Sequence, residues 1–143
     1  MIYFVDTNVF LDLIVREGGV RFKESKLFLD KVKRGEIKAM TSNLVLAEVV
    51  WVLSSFYKME RGEISRAVTT IIGISSLKYI EKVDWNSALR LFGDSCAKFV
   101  DCMVASVKQV KNRKWVVISY DRDFDKLGVK RMEPGDVLKN FVK

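Results

Sequence analysis

The chain has 143 residues, 49% apolar and 30% charged, with 25 Lys and Arg against 18 Asp and Glu and a formal net charge of +7. That length suits one domain over 1–143, large enough to bury roughly two-thirds of its unfolded surface, and the composition excludes a disordered chain. The apolar runs are too short to span a bilayer. The N-terminal run lacks a basic flank and is interrupted by Asp6 and Asp12, so neither an anchor nor a signal peptide is expected and the expected location is cytoplasmic.

In chain order, 2–5 reads as a short buried strand ending on Asp6. Residues 22–34 place Phe22, Leu27, Phe28 and Val32 on one helical face, with Gly35 as the stop. A strand is expected over 36–40. Thr41, Ser42 and Asn43 then offer cap chemistry for a helix over 44–57, apolar all round and so expected to be buried. A helix follows over 63–77, then a strand over 78–83. Asp84 is placed to cap a helix over 85–97, and another helix is expected over 99–111. The last elements are a strand at 115–118, a helical turn at 123–127 and a strand at 129–132. Pro134 and Gly135 mark a late turn. Strands alternating with helices imply an α/β fold, a parallel sheet flanked by helices on both faces.

The chain contains no histidine. That removes His-based acid–base chemistry and the Ser–His and Cys–His nucleophile pairs. Cys96 and Cys102 lack the spacing of a zinc site and read as small core residues. Any catalysis must then use carboxylates, lysines, hydroxyls or a metal held by oxygen, which points to Mg²⁺ or Mn²⁺. The surplus of cations favours a polyanionic partner only weakly.

In a parallel sheet, functional groups gather beyond the carboxyl ends of the strands. Asp6 follows the first strand, and Ser119 and Asp121 follow the 115–118 strand. Glu48 lies early in the helix after the second strand, and Asp101 lies in the first turn of the 99–111 helix. Each has a plain alternative: Asp6 as a helix cap, Asp101 as a first-turn acid, Asp121 as a turn residue, and Glu48 as half of a long-range salt bridge. Glu48 is the hardest to dismiss, because burying a carboxylate within LVLAEVVWVL is costly without a cation or a metal. Crowded carboxylates raise one another's pKa, and a divalent ion would relieve all four at once. Such a site suits metal-assisted phosphoryl hydrolysis.

Four stretches carry a family resemblance: Asp6-Thr7-Asn8; Ser42-Asn43-Leu44-Val45-Leu46-Ala47-Glu48; Phe99-Val100-Asp101-Cys102-Met103-Val104-Ala105-Ser106; and Ile118-Ser119-Tyr120-Asp121-Arg122-Asp123-Phe124. Together, over essentially the whole chain, they resemble a PIN domain, most of all the VapC-type toxins of VapBC toxin–antitoxin pairs. The resemblance implies a PIN-like α/β/α sandwich and Mg²⁺- or Mn²⁺-dependent endoribonuclease activity leaving a 3′-hydroxyl and a 5′-phosphate. It matches Asp6, Glu48, Asp101 and Asp121 to the metal-binding acids, with Asn8 and Ser119 as supporting positions. Asp123 is a candidate auxiliary ligand and Asp94 a weaker one. In this picture Asp6, Asp101 and Asp121 hold the metal, and Glu48 binds through water or orients the nucleophile. Lys98 and Arg122 would contact flanking phosphates of the RNA substrate.

The cations Lys108, Lys111, Arg113 and Lys114 precede their strand and are expected at the opposite end of the sheet. The resemblance also implies a homodimer and a small antitoxin protein that masks the site. Apolar positions such as Val49, Val52, Ile71, Ile72 and Ile74 suggest that the helices over 44–57 and 63–77 form the dimer contact. Three alternatives stand beside this reading: a standalone RNA-processing nuclease, a non-catalytic domain that binds RNA or protein, and a haloacid-dehalogenase-like phosphatase. The last is disfavoured because Asn8 stands where a second acid is needed.

Overall fold

In a computed structural model, residues 1–15 and 17–142 are described. Five strands form one parallel sheet: β1 (Ile2–Val5), β2 (Ala39–Thr41), β3 (Leu77–Tyr79), β4 (Trp115–Ile118) and β5 (Arg131–Met132), in the order β3-β2-β1-β4-β5. Helices flank it in an α/β/α arrangement: α1 (Thr7–Val15), α2 (Val20–Lys33), α3 (Asn43–Ser55), α4 (Arg61–Ile72), α5 (Trp85–Asp94), α6 (Phe99–Ala105), α7 (Lys108–Lys111) and α8 (Pro134–Leu138). No helix among the described residues is long and apolar enough to cross a membrane.

The order of the strands explains where a site can form. From β1 the chain builds outward through β2 and β3, then returns to add β4 and β5 on the other side. The crevice beyond the carboxyl ends of β1 and β4 is therefore the topological switch point. Register sharpens this. Val5 pairs with Ile118, so the next residues, Asp6 and Ser119, leave the sheet side by side. The core beneath them is dry: Phe4, Val5, Val9, Phe10, Val117 and Ile118 are completely buried.

Local chemistry fixes most element ends. Ser42 caps α3 by accepting the Val45 N–H at 3.2 Å, and Asp84 caps α5 by accepting the Ser87 N–H at 3.2 Å. Gly35, at φ +75°, ends α2 in a Schellman motif: its N–H reaches the Val32 carbonyl, and the Glu36 N–H reaches Lys31.

Five expectations are corrected. The helix over 99–111 is broken between α6 and α7, where the Ser106 hydroxyl donates to the Met103 carbonyl at 2.7 Å and Val107 takes non-helical angles. Side-chain bonding of this kind competes with the helical ladder. Pro134 and Gly135 begin a helix rather than a turn, since Pro134 occupies its first turn and Glu133 and Asp136 form a capping box. The strand expected over 78–83 shortens to β3, and the helix over 63–77 stops at Ile72. Finally, α3 is not buried all round. Val45, Leu46, Val49 and Leu53 enter the core, whereas Val50 and Trp51 face outward. Of the apolar positions assigned to a dimer contact, Val49, Ile71 and Ile74 belong to this chain's own core, and Ile72 is exposed.

Candidate active site

The site is built around Asp6, which is 2% exposed at the end of β1. Its backbone N–H continues the sheet pattern by donating to the Ile118 carbonyl at 3.1 Å. Its carboxylate turns sideways to side chains: Oδ2 accepts from Ser119 Oγ at 2.8 Å and from Asn8 Nδ2 at 3.1 Å. The Ser119 hydroxyl also accepts from Asn8 Nδ2 at 2.8 Å and from the Asp121 N–H at 3.0 Å. Asn8 completes the link by accepting the Tyr120 N–H at 3.1 Å. Every side-chain polar atom of Asn8 and Ser119 is thereby engaged, which fixes one oxygen of Asp6.

Among the described residues, Asp6 Oδ1 is buried without a hydrogen-bond partner, and so is Asp101 Oδ2. Orphaned buried carboxylate oxygens are costly, because desolvation penalises the charge they carry. Burial accordingly raises Asp6 to about 6, against the lowering effect of the Ser119 bond, and Glu48 adds to the rise. Burial likewise raises Asp101 to about 7, with Asp6, Asp121 and Glu48 adding repulsion and Lys98 opposing it. The four acids therefore lie within electrostatic reach of one another. Lys98 is the cation among them. Partial burial acts to lower its pKa, but Asp101, Glu48, Asp121 and Asp6 outweigh that and raise it.

The acids differ in posture. Asp101 is buried in the first turn of α6, where the helix dipole favours an acid. Glu48 is half-buried on α3 and Lys98 is exposed at the N-cap of α6. Asp121 is half-buried, and its Oδ1 accepts the Asp123 N–H at 2.9 Å to cap the 3-10 turn at Arg122–Leu127. The turn-residue alternative thus accounts for this contact of Asp121. The Asp123 carboxylate is turned toward Lys126 at 3.6 Å, and Arg122 is exposed. Asp94 is exposed at the end of α5. Lys111 of the basic cluster is tied to Asp84 at 3.2 Å and to Ser87 Oγ at 2.6 Å.

Among the described residues, no three acidic or cysteine side chains stand close enough to grip an ion as they lie. The donor set nevertheless suits a hard divalent cation. Such an ion commonly takes one or two carboxylates and fills its remaining positions with water and substrate oxygens. Asp6 Oδ1 and Asp101 Oδ2 are two inward oxygens of the required kind.

Sequence reasoning passed over two features here. The Thr7 hydroxyl is buried beside Asp6 without a partner. Asp12, also buried, holds Arg21 at 2.7 Å. Asp12 showed the same signal as Glu48, an acid within an apolar helical run.

The comparisons with known proteins bear on the family and the fold. The PIN domain family model matches residues 3–130. The chain is similar to a VapC ribonuclease from Aquifex aeolicus, 32% identical over 130 residues that cover 91% of this chain and 95% of that protein. Its fold is similar to VapC20 from Mycobacterium tuberculosis, a toxin that cleaves the sarcin-ricin loop, with a TM-score of 0.65, 21% identity and coverage of 92% and 99% of the two chains. It is also similar to VapBC2 from Rickettsia felis, solved with a DNA fragment from their promoter, with a TM-score of 0.63, 16% identity and coverage of 93% and 98%. The chain belongs to the PIN domain family.

Proposed function

We propose that the chain is a divalent-metal-dependent endoribonuclease acting as the toxin of a toxin–antitoxin pair. One observation carries the reading: two buried carboxylates at the switch point, Asp6 and Asp101, each keep an unpartnered oxygen and are held far above the usual carboxylate range. A structural role would have supplied partners for those oxygens.

In this reading Asp6 and Asp101 would hold Mg²⁺ or Mn²⁺, with Asp121 and Glu48 as the neighbouring acids. When bound, the cation supplies Lewis-acid stabilisation for hydrolysis of a phosphodiester. Ser119 and Asn8 keep Asp6 in one orientation, so little reorganisation is needed as charge develops. Glu48, half-buried and facing the other acids, orients the attacking water and takes its proton. The water attacks phosphorus in line, and the 3′ oxygen of the preceding nucleotide departs. Lys98, the cation facing all four acids, neutralises the phosphate, while Arg122 and Asp123 act at the exposed margin.

The relative named VapC ribonuclease supports RNA as the substrate, and the VapBC assembly supports a small antitoxin as partner. The outward apolar face of α3 and α4, with Val50, Trp51 and Ile72, is the proposed homodimer contact. A monomeric mass at micromolar concentration would remove that part of the proposal. The catalytic reading is tested by incubating purified protein with a panel of structured RNAs in Mg²⁺, Mn²⁺ or EDTA. Cleavage that EDTA and Asp6→Asn both abolish supports it, and cleavage that survives either one refutes it. Induced expression in bacteria should arrest growth for the wild type and not for Asp6→Asn.

A further inference from the structure

The segment after β4 carries Ser119 and Asp121, and its middle residue points the other way. Tyr120 gives its N–H to Asn8 on the site side, while its ring and hydroxyl reach α2. The hydroxyl donates to Glu24 Oε2 at 2.8 Å, and the guanidinium of Arg21 lies 4.1 Å from the ring centroid. Burial and then the bond to Glu24 push the phenol's pKa up, so it remains a donor. Arg21 is oriented from behind by the Nε bond to Asp12 at 2.7 Å. Asp12 and Asn8 stand one turn apart on the same face of α1.

The contacts therefore close a ring. From α1, Asn8 grips the backbone of Tyr120 directly, and Asp12 grips its side chain through Arg21. Nothing in the hydrolytic chemistry requires Arg21, Tyr120 or Glu24. Yet this ring borders the one residue that sits between Ser119 and Asp121, and both of those depend on the path of the backbone through it. A stacked guanidinium is a planar contact that lysine cannot reproduce. Space is tight on the far side as well, since a Cβ added at Gly135 of α8 would collide with the Glu24 carboxylate.

We propose that Tyr120 and Arg21 are positioning residues: the Asp12–Arg21–Tyr120 bracket fixes the segment 119–121 so that Ser119 and Asp121 present the site's carboxylates in a binding arrangement. The inference rests on the functional reading above, so its test has an arm that does not. In the full chain without metal, Arg21→Gln should accelerate amide hydrogen exchange at Tyr120 and Asp121 by about tenfold or more, as the bonds to Asn8 and Ser119 loosen. Mn²⁺ affinity measured by calorimetry should fall about 10- to 100-fold, the usual cost of removing a support behind a metal ligand. On RNA, kcat should fall with KM little changed. Arg21→Lys, which keeps the charge opposite Asp12 but not the flat guanidinium, should act in the same sense. Tyr120→Phe keeps the stacked ring and loses only the bond to Glu24, so it should act in the same sense with a smaller effect than Arg21→Gln.

A variant that loses melting temperature alone, with exchange at the two amides and Mn²⁺ affinity unchanged, overturns the proposal. Should the wild type bind no Mn²⁺ and cleave no RNA, the nuclease reading fails. The exchange arm still decides whether the bracket holds the segment.

Discussion

Asp6 and Asp84 occupy matching places in the chain, each between an extended segment and the first residue of a helix, yet they are electrostatic opposites. Asp84 accepts the Ser87 hydroxyl and N–H, and Lys111 stands at 3.2 Å, so these partners hold it down to about 2. Asp6 accepts two side-chain bonds on one oxygen, finds no side-chain donor for the other among the described residues, and is pushed up to about 6 by burial despite the Ser119 hydroxyl and the Thr7 N–H. One carboxylate has all the partners its charge requires. The other is kept short of them, and it lies at the switch point of the sheet. On the proposed function, the deficit of partners, rather than the residue type or its place before a helix, is what tells a site from a cap.

The largest expected effect breaks this contrast directly. Asp6→Asn and Asp101→Asn should each reduce RNA cleavage by at least about 100-fold, the scale of losing a main electrostatic group in an active site. Asp84→Asn should leave the rate within about twofold. A next, smaller effect concerns the oxygen of Asp6 that is already satisfied. Ser119→Ala removes its donor together with the acceptor for the Asp121 N–H, and should lower Mn²⁺ affinity about 10-fold, toward the low end for second-tier supports. Calorimetry on the folded variant checks it.

The smallest effect is on stability, and it sharpens the comparison through pH. Asp6 and Asp101 have folded pKa values near 6 and 7, above the ordinary carboxylate value near 3.8. Between about pH 4 and pH 7 the folded chain therefore binds more protons than the unfolded one, and stability falls as pH rises through that window. The lowered pKa of Asp84 acts below it and has the opposite sign. Without metal, the melting temperature should drop by about 5 °C or more between pH 5 and pH 8, and added Mn²⁺ at pH 8 should restore it. A melting temperature that climbs steadily over this range would show that the two carboxylates are not strained.

Much of this was legible in the sequence because it depends on short-range rules. Strand ends locate Asp6 and Ser119, cap residues locate Ser42 and Asp84, and an acid in an apolar run singles out Glu48. What stayed hidden depends on contacts distant in the chain or on a side chain overruling its local pattern. The break at Ser106 and Val107 lies inside a run that reads as continuous helix, and one hydroxyl bond to Met103 decides it. The capping box of Glu133 and Asp136 turned an expected turn into α8. The Tyr120–Glu24 bond joins residues 96 apart, and no local pattern announces it. Glu48 shows both limits. Its need for a counter-charge was readable, but the cation that faces it, Lys98, lies fifty residues onward at the start of α6.

On the proposed function, the buried oxygens Asp6 Oδ1 and Asp101 Oδ2 are kept for a divalent cation. Titrating Mn²⁺ into the metal-free protein at pH 6.5, in buffers of different ionisation enthalpy, tests it most directly. Saturable binding with release of protons is expected, because parts of the Asp101 and Asp6 populations are protonated at that pH and must ionise to bind. Asp6→Asn should abolish the binding. Equal binding by wild type and Asp6→Asn, or binding without proton release, would contradict that role for the two oxygens.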